Sequence, residues 1–161
     1  MTTEEYNRCV EEHADGLYRF VLFRLRDEDA AQDIVQDVFE KMWRLKDSVE
    51  STKIKSYLFT AGYHSVIDAI RRKKPGIGLE SIENTYTQKP EYFTDTKDII
   101  NAAVRRLPDI QQSVILLRDY EGYSYAEIGE ITGLTETQVK VYIYRGRMAL
   151  KKYLVSMDHL I

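Results

Sequence analysis

Apolar side chains recur at helical spacing from the start of the chain. Val10, Ala14, Leu17, Val21 and Leu25 share one face of a first helix, with Arg19, Arg24 and Arg26 at its edges. Residues 30–45 predict a second helix, in which Ile34, Val35, Val38, Phe39, Met42 and Trp43 repeat as adjacent pairs. A third spans 54–72, with Leu58, Ala61, Val66, Ile67 and Ile70 inside. The period then stops. Residues 75–97 hold two prolines, two glycines and scattered aromatics, the composition of a linker. Helical spacing resumes over roughly 96–106, 109–120, 125–132 and 135–154. Nothing alternates with the period of a strand for long. The chain reads as all-α, with helical domains at 1–74 and 98–161 joined by a linker at 75–97.

The stretch from Ser124 to Met148 is the sharpest local pattern. Ser124 with Glu127 forms a capping box, in which the hydroxyl accepts from an early helix amide and the carboxylate from the cap's own N–H. Ile128 and Ile131 face inward, and Gly129 is small where a second helix must cross closely. Gly133 can take the positive φ of a tight turn, and Leu134 plugs the corner. Thr135 with Gln138 repeats the box, so another helix starts there. Val139 and Ile143 face its core, leaving Lys140, Val141, Tyr144, Arg145 and Arg147 outward. Two capped helices around a glycine turn, the second with outward cations, describe a helix-turn-helix that lies in a DNA major groove. An ordinary helical hairpin with a solvated basic face is the alternative.

Net charge, −3 over 161 residues, looks wrong for a DNA binder until it is divided along the chain. Residues 1–52 carry 7 Lys/Arg against 13 Asp/Glu, whereas 53–74 carry 6 against 1 and 134–161 carry 5 against 2. Two separated basic blocks suit two surfaces that meet phosphates, and the acidic first third suits a basic protein partner. With 43% hydrophobic and 30% charged residues, the composition is that of a globular protein. No apolar run approaches a membrane span, and the acidic N-terminal stretch does not read as a secretion signal, so a cytoplasmic location is expected. Cys9 is the only cysteine, which excludes disulfide frameworks and cysteine zinc sites.

The segment 53–74 combines four rings (Tyr57, Phe59, Tyr63 and His64) with six cations. Rings stack on unpaired bases while cations track the backbone, so the segment suits single-stranded or opened DNA. Packing of Tyr57 and Phe59 in a core is the competing reading, and for Phe59 the favoured one. Arg71 to Lys74 could equally be a solvated helix end favoured by the macrodipole. On the second helix the polar face shows Gln32, Asp33, Gln36, Asp37, Glu40, Lys41 and Arg44, either a solvated surface or a docking face. Asp33 and Asp37 lie one turn apart, but no Glu-x-x-His partner accompanies them, so no metal site is expected. His13, His64 and His159 are scattered, no nucleophile has a visible base, and no phosphate-binding glycine loop occurs. Neither catalysis nor a cofactor is expected.

Three segments together resemble the bacterial sigma-70 family, in particular its extracytoplasmic-function (ECF) group. They are DAAQDIVQDVFEKMW, SYLFTAGYHSVIDAIRRKK and LPDIQQSVILLRDYEGYSYAEIGEITGLTETQVKVYIYRGRMALKKYL, in the family's order and separation. The resemblance implies a sigma-2 helical bundle at 1–74 and a sigma-4 helix-turn-helix domain at 98–161. It implies a non-enzymatic subunit that binds core RNA polymerase, recognises the −35 and −10 promoter elements and opens the duplex. On matching positions, Asp33, Gln36, Asp37 and Glu40 would dock the clamp helices of the largest polymerase subunit, and the flap of the second-largest subunit would be a further contact. Lys55, Tyr57, Tyr63, His64, Asp68, Arg71 and Arg72 would serve −10 recognition and melting. Thr137, Lys140, Val141, Tyr144 and Arg145 would face the −35 element, with Gly133 at the turn. Promoter DNA and an anti-sigma factor are implied as partners, and no small-molecule substrate.

The chain also departs from the pattern. Where the family commonly shows Ile-Ala-Arg-Asn after an aromatic, this sequence has Ala61-Gly62-Tyr63-His64. Neutral His64 both donates and accepts, as asparagine does, while Tyr63 exchanges phosphate attraction for stacking. Gln112 stands where many relatives have arginine, and Val141 can touch a thymine methyl but reads no donor–acceptor pattern. An autonomous regulator of the LuxR type would share the C-terminal patterning but leave the aromatic-basic segment unexplained. A non-DNA interaction protein is the third reading.

Overall fold

The structure, a computed structural model, describes residues 1–73 and 95–158. Its helices are α1 (Thr3–Leu25), α2 (Glu28–Arg44), α3 (Ile54–Lys73), α4 (Thr96–Arg105), α5 (Asp109–Ile115), α6 (Tyr125–Thr132) and α7 (Glu136–Asp158). A short 3₁₀ turn, Ser51–Lys53, leads into α3, and a π-helical stretch, Leu116–Tyr120, continues α5. Among the described residues there is no strand, so the chain is all-α, as its periodicity indicates. Most of the expected linker lies outside the described residues, as does His159. At its end, Asp95 caps α4 by accepting from the Asp98 amide at 2.8 Å.

Local chemistry fixes the helix ends. Thr2 and Glu5 form a capping box on α1, one that the apolar period did not announce. Arg26 closes α1 in the left-handed region at φ 56°, donating its N–H to the Leu22 carbonyl, and Asp27 at once caps α2 through the Ala30 amide. The second helix therefore begins at Glu28, two residues earlier than its apolar period suggests. In the N-terminal half α1 packs on both α2 and α3. Leu17, Phe20, Val21, Val38, Met42, Leu58, Phe59 and Val66 form its interior.

The helix-turn-helix forms as its sequence dictates. Ser124 and Glu127 make both capping-box bonds, at 3.1 and 3.0 Å, and Thr135 and Gln138 make theirs at 3.1 and 2.9 Å. Gly133 lies at φ 78° and ends α6 by donating to the Gly129 carbonyl. A Cβ on Gly129 would come 2.8 Å from the Leu134 carbonyl oxygen, which is why the crossing needs glycine. Ile128, Ile131, Val139 and Ile143 close the small core against Val114, Ile115 and Leu117. Gly133→Val would place a β-branched residue in the left-handed region. It is expected to cost about 1–2 kcal/mol, read as a lowered Tm in thermal melts of the full chain. An unchanged Tm would contradict the turn geometry.

The two helical units do not bury separate cores. Buried side chains form one cluster running through both, and α3 lies directly against α6. Phe59 meets Tyr123 at 4.8 Å between ring centroids, and Phe23 meets Tyr120 edge-on at 5.7 Å. Arg24, expected at the edge of α1, is instead buried at 4% exposure, with its guanidinium 3.5 Å from the Asp109 carboxylate. That pairing with a residue 85 positions away offsets the cost of burying its charge, and apolar periodicity carries no sign of it.

Candidate nucleic-acid interface

The recognition helix α7 presents two distinct faces. Val139, Ile143 and Gly146 turn inward, and Gly146 permits the close approach of Ile115. On the other side Thr137, Lys140, Val141, Tyr144 and Arg145 are all exposed, spaced at three and four residues over the first half of the helix. Tyr144, at 66% exposed, is the barest large ring in the molecule's described part. Val141, also exposed, adds an apolar contact surface between the cations. Lys140 lies over the Tyr125 ring at 5.8 Å, which ties it to the helix before the turn. Arg147 is exposed too, as expected, but its guanidinium is bound to Asp119 through two hydrogen bonds of 2.7 and 3.3 Å. It therefore braces α7 against the π-helical stretch.

On α3, His64, Asp68, Arg71 and Arg72 are exposed on the helix's later turns. Tyr63 is not. It is only 8% exposed, and burial pushes its phenol pKa up. Its sequence context suggests a ring available for stacking; the structure places that ring in the seam between α3 and α6. Its edge borders a cleft of about 490 Å³, lined by Tyr63, His64, Ile67, Asp68, Arg71 and Thr132. Ile67 and Thr132 were not expected there. Tyr57 is half-buried against the core, and Phe59, at 1% exposed, is a core residue as favoured. Lys55 is drawn into the seam as well. Its ammonium lies 3.6 Å from Glu127 and 4.2 Å from the Tyr123 ring centroid. The Glu127 carboxylate lies below its usual pKa, first because it accepts from the Ser124 backbone N–H and further because of Lys55.

The acidic face of α2 is solvated over its full length. Asp33, Gln36, Asp37 and Glu40 are exposed, while Val38, Phe39 and Met42 hold the other side to α1 and α3. Trp43, which follows the same apolar pattern, remains 38% exposed with Tyr6 against its edge and Lys46 over its face at 3.6 Å. Cys9 is buried, and burial pushes its thiol up to about 11, so it has little thiolate character at neutral pH. Among the described residues no group of three or more His, Cys, Asp or Glu is arranged to hold a metal ion. No helix among them is long and apolar enough to cross a membrane.

Sequence comparison accounts for both halves. Sigma-70 region 2 matches residues 9–75, and sigma-70 region 4 matches residues 97–150. The chain is 30% identical to the RNA polymerase sigma factor YlaC of Bacillus subtilis (strain 168), over 91% of this chain and 88% of that one. It is also 30% identical to the ECF RNA polymerase sigma factor SigW of the same organism, over 90% and 86% of the two chains. Among solved structures, the sigma factor RpoE, crystallised with the anti-sigma factor NepR from Bartonella quintana, superposes with a TM-score of 0.74. That match is 22% identical and covers 94% of this chain and 98% of the other. CnrH, in complex with the cytosolic domain of CnrY, superposes with a TM-score of 0.73 at 21% identity, covering 96% and 90%. The protein belongs to the ECF group of the sigma-70 family, transcription initiation factors that direct RNA polymerase to promoters.

Proposed function

We propose that this sigma factor divides promoter recognition between the exposed face of α7 and the later turns of α3, while α2 holds it to the polymerase. It acts by binding rather than by catalysis, in the cytoplasm with the polymerase. The observation that carries the reading is the five-residue face of α7, all of it solvent-exposed on a stretch of helix whose opposite side is buried through Val139, Ile143 and Gly146. Lys140 and Arg145 supply phosphate and base-edge donors in the −35 major groove; Thr137, Val141 and Tyr144 supply shape and apolar contact. His64 and Arg71 line the cleft on α3, where a base that has left the stack would be received, with Tyr63 as its wall, and Arg72 is exposed on the next position of the helix. Asp68 marks the upstream edge of that element. Asp33, Gln36, Asp37 and Glu40 meet the basic clamp helices of the largest polymerase subunit, and the flap of the second-largest subunit receives the C-terminal unit. An anti-sigma factor is the proposed negative regulator, because the buried high-pKa Cys9 offers no redox switch of its own.

The boundaries that fit this division are 1–74 for the polymerase-docking and −10 unit, 75–97 for the connection and 98–161 for the −35 unit. The acidic first third repels free DNA, and polymerase bound over α2 removes that repulsion. The isolated chain should therefore bind a promoter duplex weakly, with affinity that falls steeply with salt. Reconstituted with core polymerase it should bind the same duplex tightly. Fluorescence anisotropy at several salt concentrations measures both. Tight, salt-resistant promoter binding by the isolated chain would overturn the reading in favour of an autonomous regulator.

A further inference from the structure

The first turn of α7 carries an acid that the helix does not need for its own ends. Thr135 and Gln138 already close the helix start with reciprocal bonds of 2.9 and 3.1 Å, so Glu136 between them has no capping to do. Nor does it have the partner its position suggests. Glu136 and Lys140 stand four residues apart in the order that favours an ion pair, yet among the described residues none forms. Lys140 lies over the Tyr125 ring instead, 5.8 Å from its centroid. Asp119, Glu121 and Glu127, by contrast, are each held by an arginine or a lysine. Glu136 and Asp158 are the only acids after residue 133, and Glu136 alone stands at the end of α7 that carries the exposed basic face.

Residues four apart on that face form two exposed rows, Glu136–Lys140–Tyr144 and Thr137–Val141–Arg145. Glu136 heads the first row, at the N-terminal end of a recognition helix, where side chains contact base edges. A carboxylate there is repelled by phosphates and offers acceptors only. Among major-groove edges, cytosine presents an amino donor with no acceptor on the same base, whereas the N6 of adenine stands beside N7, which repels a carboxylate. We propose that Glu136 is a specificity determinant of −35 recognition, its carboxylate accepting from the N4 amino group of a cytosine. The proposal rests on α7 being the −35 reader. Because the charge disfavours every other base at that position, the residue discriminates between sequences more than it adds affinity.

The test selects binding sites from duplex DNA randomised over the −35 element, using holoenzyme with the full chain as wild type, Glu136→Ala or Glu136→Gln. The wild type should enrich a block in which one position demands cytosine, on either strand, by about tenfold over the other bases. Glu136→Ala should lose the demand at that position alone and keep the rest of the block. Glu136→Gln, which can donate as well as accept, should move the same position to adenine. Thermal melts of the three chains run in parallel. A lowered Tm with an unaltered block is the signature of an acid that serves only the helix dipole, and it overturns the proposal. So does a loss of preference spread evenly over the whole block. Identical blocks from all three chains sink Glu136 alone, whereas no enriched block with the wild type sinks the assignment of α7 and Glu136 with it.

Discussion

Replacing Lys140 and Arg145 by alanine is expected to weaken holoenzyme binding to the −35 element, by on the order of 1–3 kcal/mol for each side chain that bonds a base edge. Both side chains are exposed on the face of α7 that faces away from the core, so truncation acts on DNA binding with little effect on packing. Where the side chain meets a phosphate instead, the slope of log affinity against log salt should fall by about 1. Arg147 provides the internal comparison. It lies only two residues further along, yet its guanidinium is committed to Asp119, so Arg147→Ala should lower stability more than −35 affinity. Electrophoretic or anisotropy titrations across a salt series, with thermal melts alongside, measure both effects. Equal falls in DNA affinity at all three positions would mean that the face has been assigned wrongly.

The second large effect concerns opening rather than binding. His64→Ala should leave closed-complex formation nearly intact and slow the appearance of unpaired bases, because the imidazole projects from α3 into the open cleft. Tyr63→Ala should show the same defect together with a loss of stability, since its ring is almost fully buried. A large buried aromatic truncated to alanine costs on the order of 3–5 kcal/mol. Tyr63→Phe keeps the ring and separates packing from the polar tip. Permanganate footprinting on duplex and premelted templates distinguishes the steps. Rescue of His64→Ala by a premelted template supports the role in opening, and failure of that rescue would remove it.

What the sequence disclosed and what it hid divide along a physical line. The bounds of α6, its capping box, the left-handed Gly133 and the second box at Thr135 are all local, set by residues within four positions of one another, and all are present as read. Tyr63 was legible as chemistry but not as environment. Its ring lines a cleft shared with Thr132 of the other helical unit, more than 60 residues away, and no period in either segment announces that pairing. Arg24 was misplaced for the same reason, its partner Asp109 lying on a helix of the other unit. A usable signal was present: the run Tyr120-Glu121-Gly122-Tyr123 sets two rings around a glycine turn, more aromatic surface than a solvent-exposed connection requires. The acidic face of α2 remains on the surface as expected, because a helix with one strongly apolar side has only one way to turn.

The central claim is that this chain supplies promoter specificity to a polymerase that lacks it, through the faces of α7 and α3. Run-off transcription on a promoter selected from random DNA by the holoenzyme tests it most directly. Core polymerase alone should give no specific transcript, and core with the wild-type chain a single start site. Mutating the template's −35 block should be as damaging as the combined Lys140→Ala and Arg145→Ala substitutions. Full activity from core with the doubly substituted chain, or no specific transcript with the wild-type chain, would contradict the account.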